Sequence, residues 1–102
     1  AIRSMSMSNR DAGLIIMKHH GTACTDVTGF GLLGHLYEMV QASRVQVQLF
    51  LSQVPVLPGA KECVAQGIFS SLQPSNMRLR RAISNEHEAI SHEVYPLLFD
   101  PQ

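Results

Sequence analysis

The stretch Thr25-Asp26-Val27-Thr28-Gly29-Phe30-Gly31-Leu32-Leu33-Gly34-His35-Leu36 constrains this chain more than any other, because an apolar lead-in reaches a carboxylate, passes three glycines and becomes an amphipathic run. It predicts a strand, a tight turn and a helix N-terminus. Glycines at 29 and 31 permit positive φ or close approach of another group. The first amides of the following helix have no partners inside it, and with the positive end of the helix dipole they suit an anion such as phosphate. Asp26, at the end of the strand, would stand beside that anion as a hard oxygen ligand of the kind Mg²⁺ prefers when it bridges protein and phosphates. In the alternative reading the glycines only permit close helix packing and Asp26 caps the helix. A dinucleotide fingerprint shares the G-x-G-x-x-G spacing but would want an acidic residue about 20 residues on, within a βαβ unit. Glu62 lies too far along for that.

Composition narrows the classes of function. The chain has 102 residues, 45% of them apolar, enough for one domain with a modest core. Eight basic and eight acidic residues give a formal charge of zero, so no field draws in nucleic acid or a membrane surface, and neither is expected as a partner. No apolar run reaches the length of a membrane span, and no charged start with an apolar h-region marks a signal peptide. A cytoplasmic protein is expected. Cys24 and Cys63 are the two cysteines, and without a Cys-x-x-Cys spacing they indicate neither a zinc site nor a redox pair. Strand alternation puts Cys24 on the same side as Asp26, so a thiol near the metal is one reading. A small buried hydrophobe packing the strand is the preferred one.

Along the chain, Ser8 or Asn9 can cap a helix with Ala12, Ile15, Ile16 and His19 at helical spacing and Gly21 as its stop. Residues 22–27 then read as a short strand. His19 and His20 are adjacent, about 100° apart on a helix, and are poorly placed to chelate one ion. The central helix runs from about residue 29 to 42, with Phe30, Leu33, Leu36, Met39 and Val40 in one stripe joined by Leu32, which is core periodicity. Gly34, within its first turns, costs about 1 kcal/mol relative to alanine and lets the helix approach a sheet or another domain closely. His35 either faces the phosphate side or caps and packs; the structural role is preferred.

Residues 44–51 alternate, with Val45, Val47, Leu49 and Leu51 on one side, and predict a half-buried strand. Pro58 suits the first turn of a short helix that buries Ala60, Cys63 and Val64 and ends at Gly67. Residues 68–76 read as a loop. The run 77–90 is partly apolar through Leu79 and Ile83 and clusters Arg78, Arg80 and Arg81, which serve either a phosphate or partner domain or, preferably, a solvated face beside Glu86 and Glu88. A short helical turn around Tyr95, Leu97, Leu98 and Phe99 closes the chain. No internal repeat is present.

The central stretch resembles the signature of the C-terminal domain of the selenophosphate synthetase (selenide, water dikinase) family, related to aminoimidazole ribonucleotide synthetase. Ser8-Asn9-Arg10, Leu57-Pro58-Gly59-Ala60 and Leu98-Phe99-Asp100-Pro101-Gln102 follow the same family in the same order, so the resemblance covers nearly the whole chain. It implies transfer of a phosphoryl group from ATP to selenide, with release of AMP and phosphate. Magnesium is held in the family by several aspartates, and the one from the C-terminal domain maps onto Asp26. Thr28, Gly29 and Gly31 would then lie near phosphate. The family's nucleophilic cysteine or selenocysteine, its lysine and its ATP loop belong to an N-terminal domain, so no catalytic residue is assigned here and both Mg²⁺ and ATP need that partner domain. Members of the family also continue past residue 102 into a further strand, whose absence should expose a sheet edge and favour a homo-oligomer. The Ser70-Ser71-Leu72-Gln73-Pro74-Ser75-Asn76 stretch looks closer to bacterial forms fused to a flavin and pyridine-nucleotide oxidoreductase module.

The expected fold is therefore α+β, one partial domain over residues 1–102: a small, mainly antiparallel sheet covered by helices, with helix 29–42 packed across it and the last strands lacking. The expected function is a piece of an ATP-dependent selenophosphate synthetase. The alternatives are a structural or interaction domain without a site of its own, or the same domain of a related enzyme acting on a purine-pathway substrate.

Overall fold

The computed structural model describes residues 2–101, so the resemblance at the C-terminus extends one residue, Gln102, beyond them. Among the described residues the secondary structure is helical: α1 (Ile2–Met5), α2 (Arg10–Lys18), α3 (Gly31–Ser43), α4 (Ala60–Ala65), α5 (Gln73–Asn76) and α6 (Glu86–Ala89), with 3₁₀ turns at Leu51–Gln53, Met77–Ala82 and Tyr95–Phe99.

Helix α3 is the centre of the molecule, and the reason is local. Leu33 and Leu36 lie one turn apart on one face, Leu32 and Leu36 likewise, and Gly31 and Gly34 are buried with Leu33, so the first two turns offer an apolar surface relieved by small residues. Against that surface packs the closing 3₁₀ turn. Leu33, Tyr95, Leu98 and Phe99 form the core, with Phe99 fully buried and Leu32, Leu51, Met77, Leu79, Ile83 and Ala89 around it. Tyr95 and Phe99 meet edge to face, ring centres 5.2 Å apart at 70°, the arrangement the ring quadrupoles favour. The predicted stripe on α3 is thus used unevenly. Leu33 is buried, Leu36, Met39 and Val40 only in part, and Phe30 lies 46% exposed just ahead of the helix.

The predicted sheet is not there. Among the described residues no strand forms; residues 23–28 and 45–50 are neither helix nor ladder, and every residue from 45 to 50 is exposed. The α+β expectation is overturned on this point, for a physical reason. Alternation decides which side chains share a face, whereas a strand exists only when its N–H and C=O groups pair with a second segment. In the 45–50 run Val45 and Val47 are each 52% exposed and Leu49 38%. A cavity of about 530 Å³ separates Val47 and Leu49 from Leu33, Leu36 and Ile83. Two smaller differences follow the same logic. Cys63 and Cys24 are exposed free thiols rather than buried packing residues, and residues 73–76, expected within a loop, make one helical turn with Pro74 near its start.

Candidate functional site

The turn that carries the sequence motif is built from three sets of contacts. Thr28 C=O accepts the Gly31 N–H at 3.0 Å, closing the turn, and Gly31 takes φ +71°, a left-handed conformation that glycine adopts without strain. A Cβ on Gly31 would lie 2.9 Å from the Phe99 carbonyl carbon and 3.0 Å from the Leu98 carbonyl oxygen. Here glycine is required twice, by φ and by the backbone packed on it. Gly34 is required once: a Cβ there would stand 2.5 Å from Phe30 Cβ and 3.2 Å from Leu79 Cδ1.

Asn76 holds the turn from the other side. Its side chain is 4% exposed, and its Nδ2 donates to Gly29 C=O at 2.9 Å and to Phe99 C=O at 3.0 Å. One amide therefore ties the motif to the C-terminal core. Nearby, the Asp100 carboxylate accepts the Ser70 N–H at 2.9 Å. The sequence reading missed Asn76, which it placed inside a loop. The only local signal was Pro74 two residues earlier, suited to a helix start, and the partners lie 47 and 23 residues away.

The predicted site residues fall on two sides of this turn. Asp26 and Thr28 are exposed, Gly29 is half-buried, and Gly31 is buried. The residue preceding α3 is Phe30, and no side chain caps it, so Asp26 is not a helix cap. Thr28 Oγ1 lies 3.1 Å from His35 Nε2. His35 is 7% exposed, stacked at a tilt against Phe30 with ring centres 5.5 Å apart. It packs, as the preferred reading had it, and caps no helix.

A Mg²⁺ ion asks for about six oxygen ligands. Among the described residues no group of three His, Cys, Asp or Glu side chains could hold a metal ion, and none of three cavities, of about 530, 260 and 260 Å³, is lined by residues 24–31. Asp26 fits as one exposed hard-oxygen ligand contributed to a site, not as a cage. The arginines stand elsewhere. Arg78, Arg80 and Arg81 are all exposed, and Arg80 reaches Glu86 at 3.8 Å, whose Oε1 also accepts the Tyr95 hydroxyl at 2.7 Å. His19 and His20 follow α2, His20 with φ +58°.

Comparison with known proteins adds what geometry alone does not. The model of the family described as AIR synthase related protein, C-terminal domain, matches residues 3–77. The chain is 41% identical over 101 residues to a selenide, water dikinase of Pelobacter propionicus, covering 99% of this chain and 29% of that protein. It is 35% identical over 102 residues to one from Trichlorobacter lovleyi (100% and 29%) and 41% over 98 residues to one from Nitratidesulfovibrio vulgaris (96% and 27%). The chain thus spans less than a third of the length of these curated relatives. No solved structure matches it. No described helix is long and apolar enough to cross a membrane. With the family model covering well over half of its residues, the chain belongs to the AIR synthase related protein, C-terminal domain family.

Proposed function

We propose that this chain is the C-terminal domain of a selenide, water dikinase, an enzyme that makes selenophosphate, AMP and phosphate from ATP, selenide and water. The observation that carries the reading is the 41% identity to a protein of that name across 99% of the chain. The Thr25-Asp26-Val27-Thr28-Gly29-Phe30-Gly31 motif agrees with it.

In this reading Asp26 supplies one carboxylate to a Mg²⁺ site completed by an ATP-binding domain of the same enzyme. Bound there, the metal would neutralise charge on the phosphates. The chain's own part is to present that carboxylate. Gly31 lets the turn seat against residues 98–99, with Asp26 and Thr28 exposed and Gly29 half-buried beside them, next to where phosphate would lie. A cytoplasmic enzyme, where ATP and magnesium are held, and a homo-oligomer go with the same reading. A second reading, a packing module without a site, draws on the close contacts of Gly31 with the backbone of residues 98–99 and of Gly34 with the Phe30 and Leu79 side chains.

Selenide-dependent AMP formation from ATP by the intact enzyme, run beside its Asp26→Asn variant, separates the two. Loss of about a hundredfold or more in the variant, with little change in thermal stability, is expected if Asp26 holds the metal. Wild-type rates in the variant would leave the packing module. The isolated 102-residue chain is expected to turn over no ATP and, by calorimetry, to bind Mg²⁺ only at millimolar levels or weaker, since a single carboxylate is a poor cage.

A further inference from the structure

His35 carries an observation that neither the fold nor the metal reading uses. Its Nδ1 is buried and has no hydrogen-bond partner; the nearest charged atom is Glu38 Oε2 at 3.7 Å, one helical turn on and largely exposed. Its Nε2 is in hydrogen-bond reach of Thr28 Oγ1. A neutral imidazole carries one N–H, and which nitrogen bears it decides the direction of the Thr28 bond.

The two tautomers are unequal here. With the proton on Nε2, the lone pair of Nδ1 would point at a carboxylate oxygen from inside a nearly dry pocket, an acceptor facing an acceptor. With the proton on Nδ1, an N–H points toward that carboxylate at 3.7 Å, too far for a hydrogen bond, and Nε2 becomes an acceptor for the Thr28 hydroxyl. Neither arrangement gives the buried Nδ1 a hydrogen-bond partner, but only the second replaces repulsion between two acceptors by attraction between an N–H and a carboxylate. The Thr28 proton is then directed inward, and its oxygen turns only lone pairs to solvent.

We propose that His35 is a positioning residue that fixes the polarity of the motif: by accepting the Thr28 proton it makes the outer face of Thr28, two residues from the Asp26 carboxylate, a pure acceptor surface suited to a hydrated divalent cation. Phosphate near this turn is left to backbone N–H groups, because the Thr28 hydroxyl has no proton to offer it. The inference rests on the metal reading of Asp26 and deepens it. His35 acts through Thr28 and does not touch the metal.

Two measurements on the intact enzyme test it. In the first, ¹⁵N-histidine labelling, with His35→Gln used to assign the signal, reports which ring nitrogen is protonated, since the two types resonate far apart. An Nδ1–H, Nε2-unprotonated ring is expected; a proton on Nε2, alone or together with Nδ1, overturns the proposal. In the second, Mg²⁺ is titrated calorimetrically into wild type, His35→Leu, Thr28→Val, the double variant, His35→Gln and Asp26→Asn. His35→Leu and Thr28→Val are each expected to weaken Mg²⁺ binding roughly tenfold, as loss of an outer partner of a metal site does, with the double variant no worse than either. His35→Gln, whose side-chain carbonyl can accept the same proton, is expected to bind nearly as wild type, which separates this role from packing. If Asp26→Asn weakens binding and the His35 and Thr28 changes do not, or if their effects add, the inference fails and the metal reading stands. If Asp26→Asn leaves binding unchanged, the metal reading fails, and the polarity of Thr28 stands or falls with the ¹⁵N result.

Discussion

At the scale of single residues, the motif turn depends on two that tolerate no change. Gly31→Ala would force a Cβ to within 2.9 Å of the Phe99 backbone at φ +71°, and backbone cannot swing aside as a side-chain tip can. A loss of about 2–4 kcal/mol of stability is expected in urea unfolding, combining a left-handed penalty with overpacking. Asn76→Ala leaves the carbonyls of Gly29 and Phe99 without their shared donor and is expected to cost about 2–3 kcal/mol, whereas a change at exposed Arg78 should cost under about 0.5 kcal/mol. Tyr95 gives a pH dependence. Burial, then the hydrogen bond to and the charge of Glu86, push its hydroxyl from 10.0 up to about 12. The folded value lies above the unfolded one, so its contribution is full below about pH 10 and is lost as pH rises through about 12. Denaturant unfolding should therefore show wild type losing on the order of 1–2 kcal/mol more than Tyr95→Phe over that interval, after allowing for water that reaches Glu86. Glycine at 31 was legible in the sequence as a special position. That its neighbour is residue 99 was not, because no local pattern names a partner so distant.

At the scale of elements, α2, α3 and α4 end in the same way. Within two residues of each helix end a residue takes positive φ: His20 (+58°) and Gly67 (+75°) as the second residue after α2 and α4, and Arg44 (+52°) as the first after α3. Its N–H and that of the next residue return to carbonyls of the last turn: His20 to Met17 and Gly21 to Ile16, Arg44 to Gln41 and Val45 to Val40, Gly67 to Val64 and Ile68 to Cys63. Gly67 was readable as a stop because glycine is the usual residue there. The other two were less so: at the first terminus the left-handed position falls on His20, one residue before the glycine read as the stop, and at the second on an arginine. Each non-glycine residue in that conformation costs about 1–2 kcal/mol, partly offset in any glycine variant by the greater freedom of its unfolded chain. Arg44→Gly is thus expected to stabilise the protein by about 0.5–1 kcal/mol, read as a rise in thermal midpoint. The amphipathic helices were legible because their signal is local and repeats every turn. The run 45–50 was not, because its alternation is real and its pairing partner is not in its own sequence.

At the scale of the whole molecule, the described fold is open. Its accessible surface is 8044 Å², against about 5,700 Å² for a compact monomer of this size, and its radius of gyration is 14.4 Å against about 13 Å. Among the described residues, Val45 and Val47 on one unpaired segment and Leu14 and Ile15 on α2 each leave half or more of their surface in water, and apolar side chains exposed next to one another on a segment without a ladder partner favour association. Sedimentation of the chain is expected to show concentration-dependent oligomers, reduced in a Val45→Thr, Val47→Thr variant that keeps the β-branched shape and removes apolar surface. An unchanged distribution would place the contact elsewhere. By itself the sequence determined a central helix, placed at about 29–42 where the structure has 31–43, the turn before it, the special need for glycine and the motif that names the family, since each is written in neighbouring residues through backbone conformation and periodicity. Only the tertiary structure decided that Asn76 and Phe99 hold that turn, that His35 faces Thr28, that Arg80 is the arginine that reaches Glu86, and that the alternating run finds no ladder. Those outcomes depend on which groups far apart in the chain come within hydrogen-bond distance, and no local pattern of residue types encodes that.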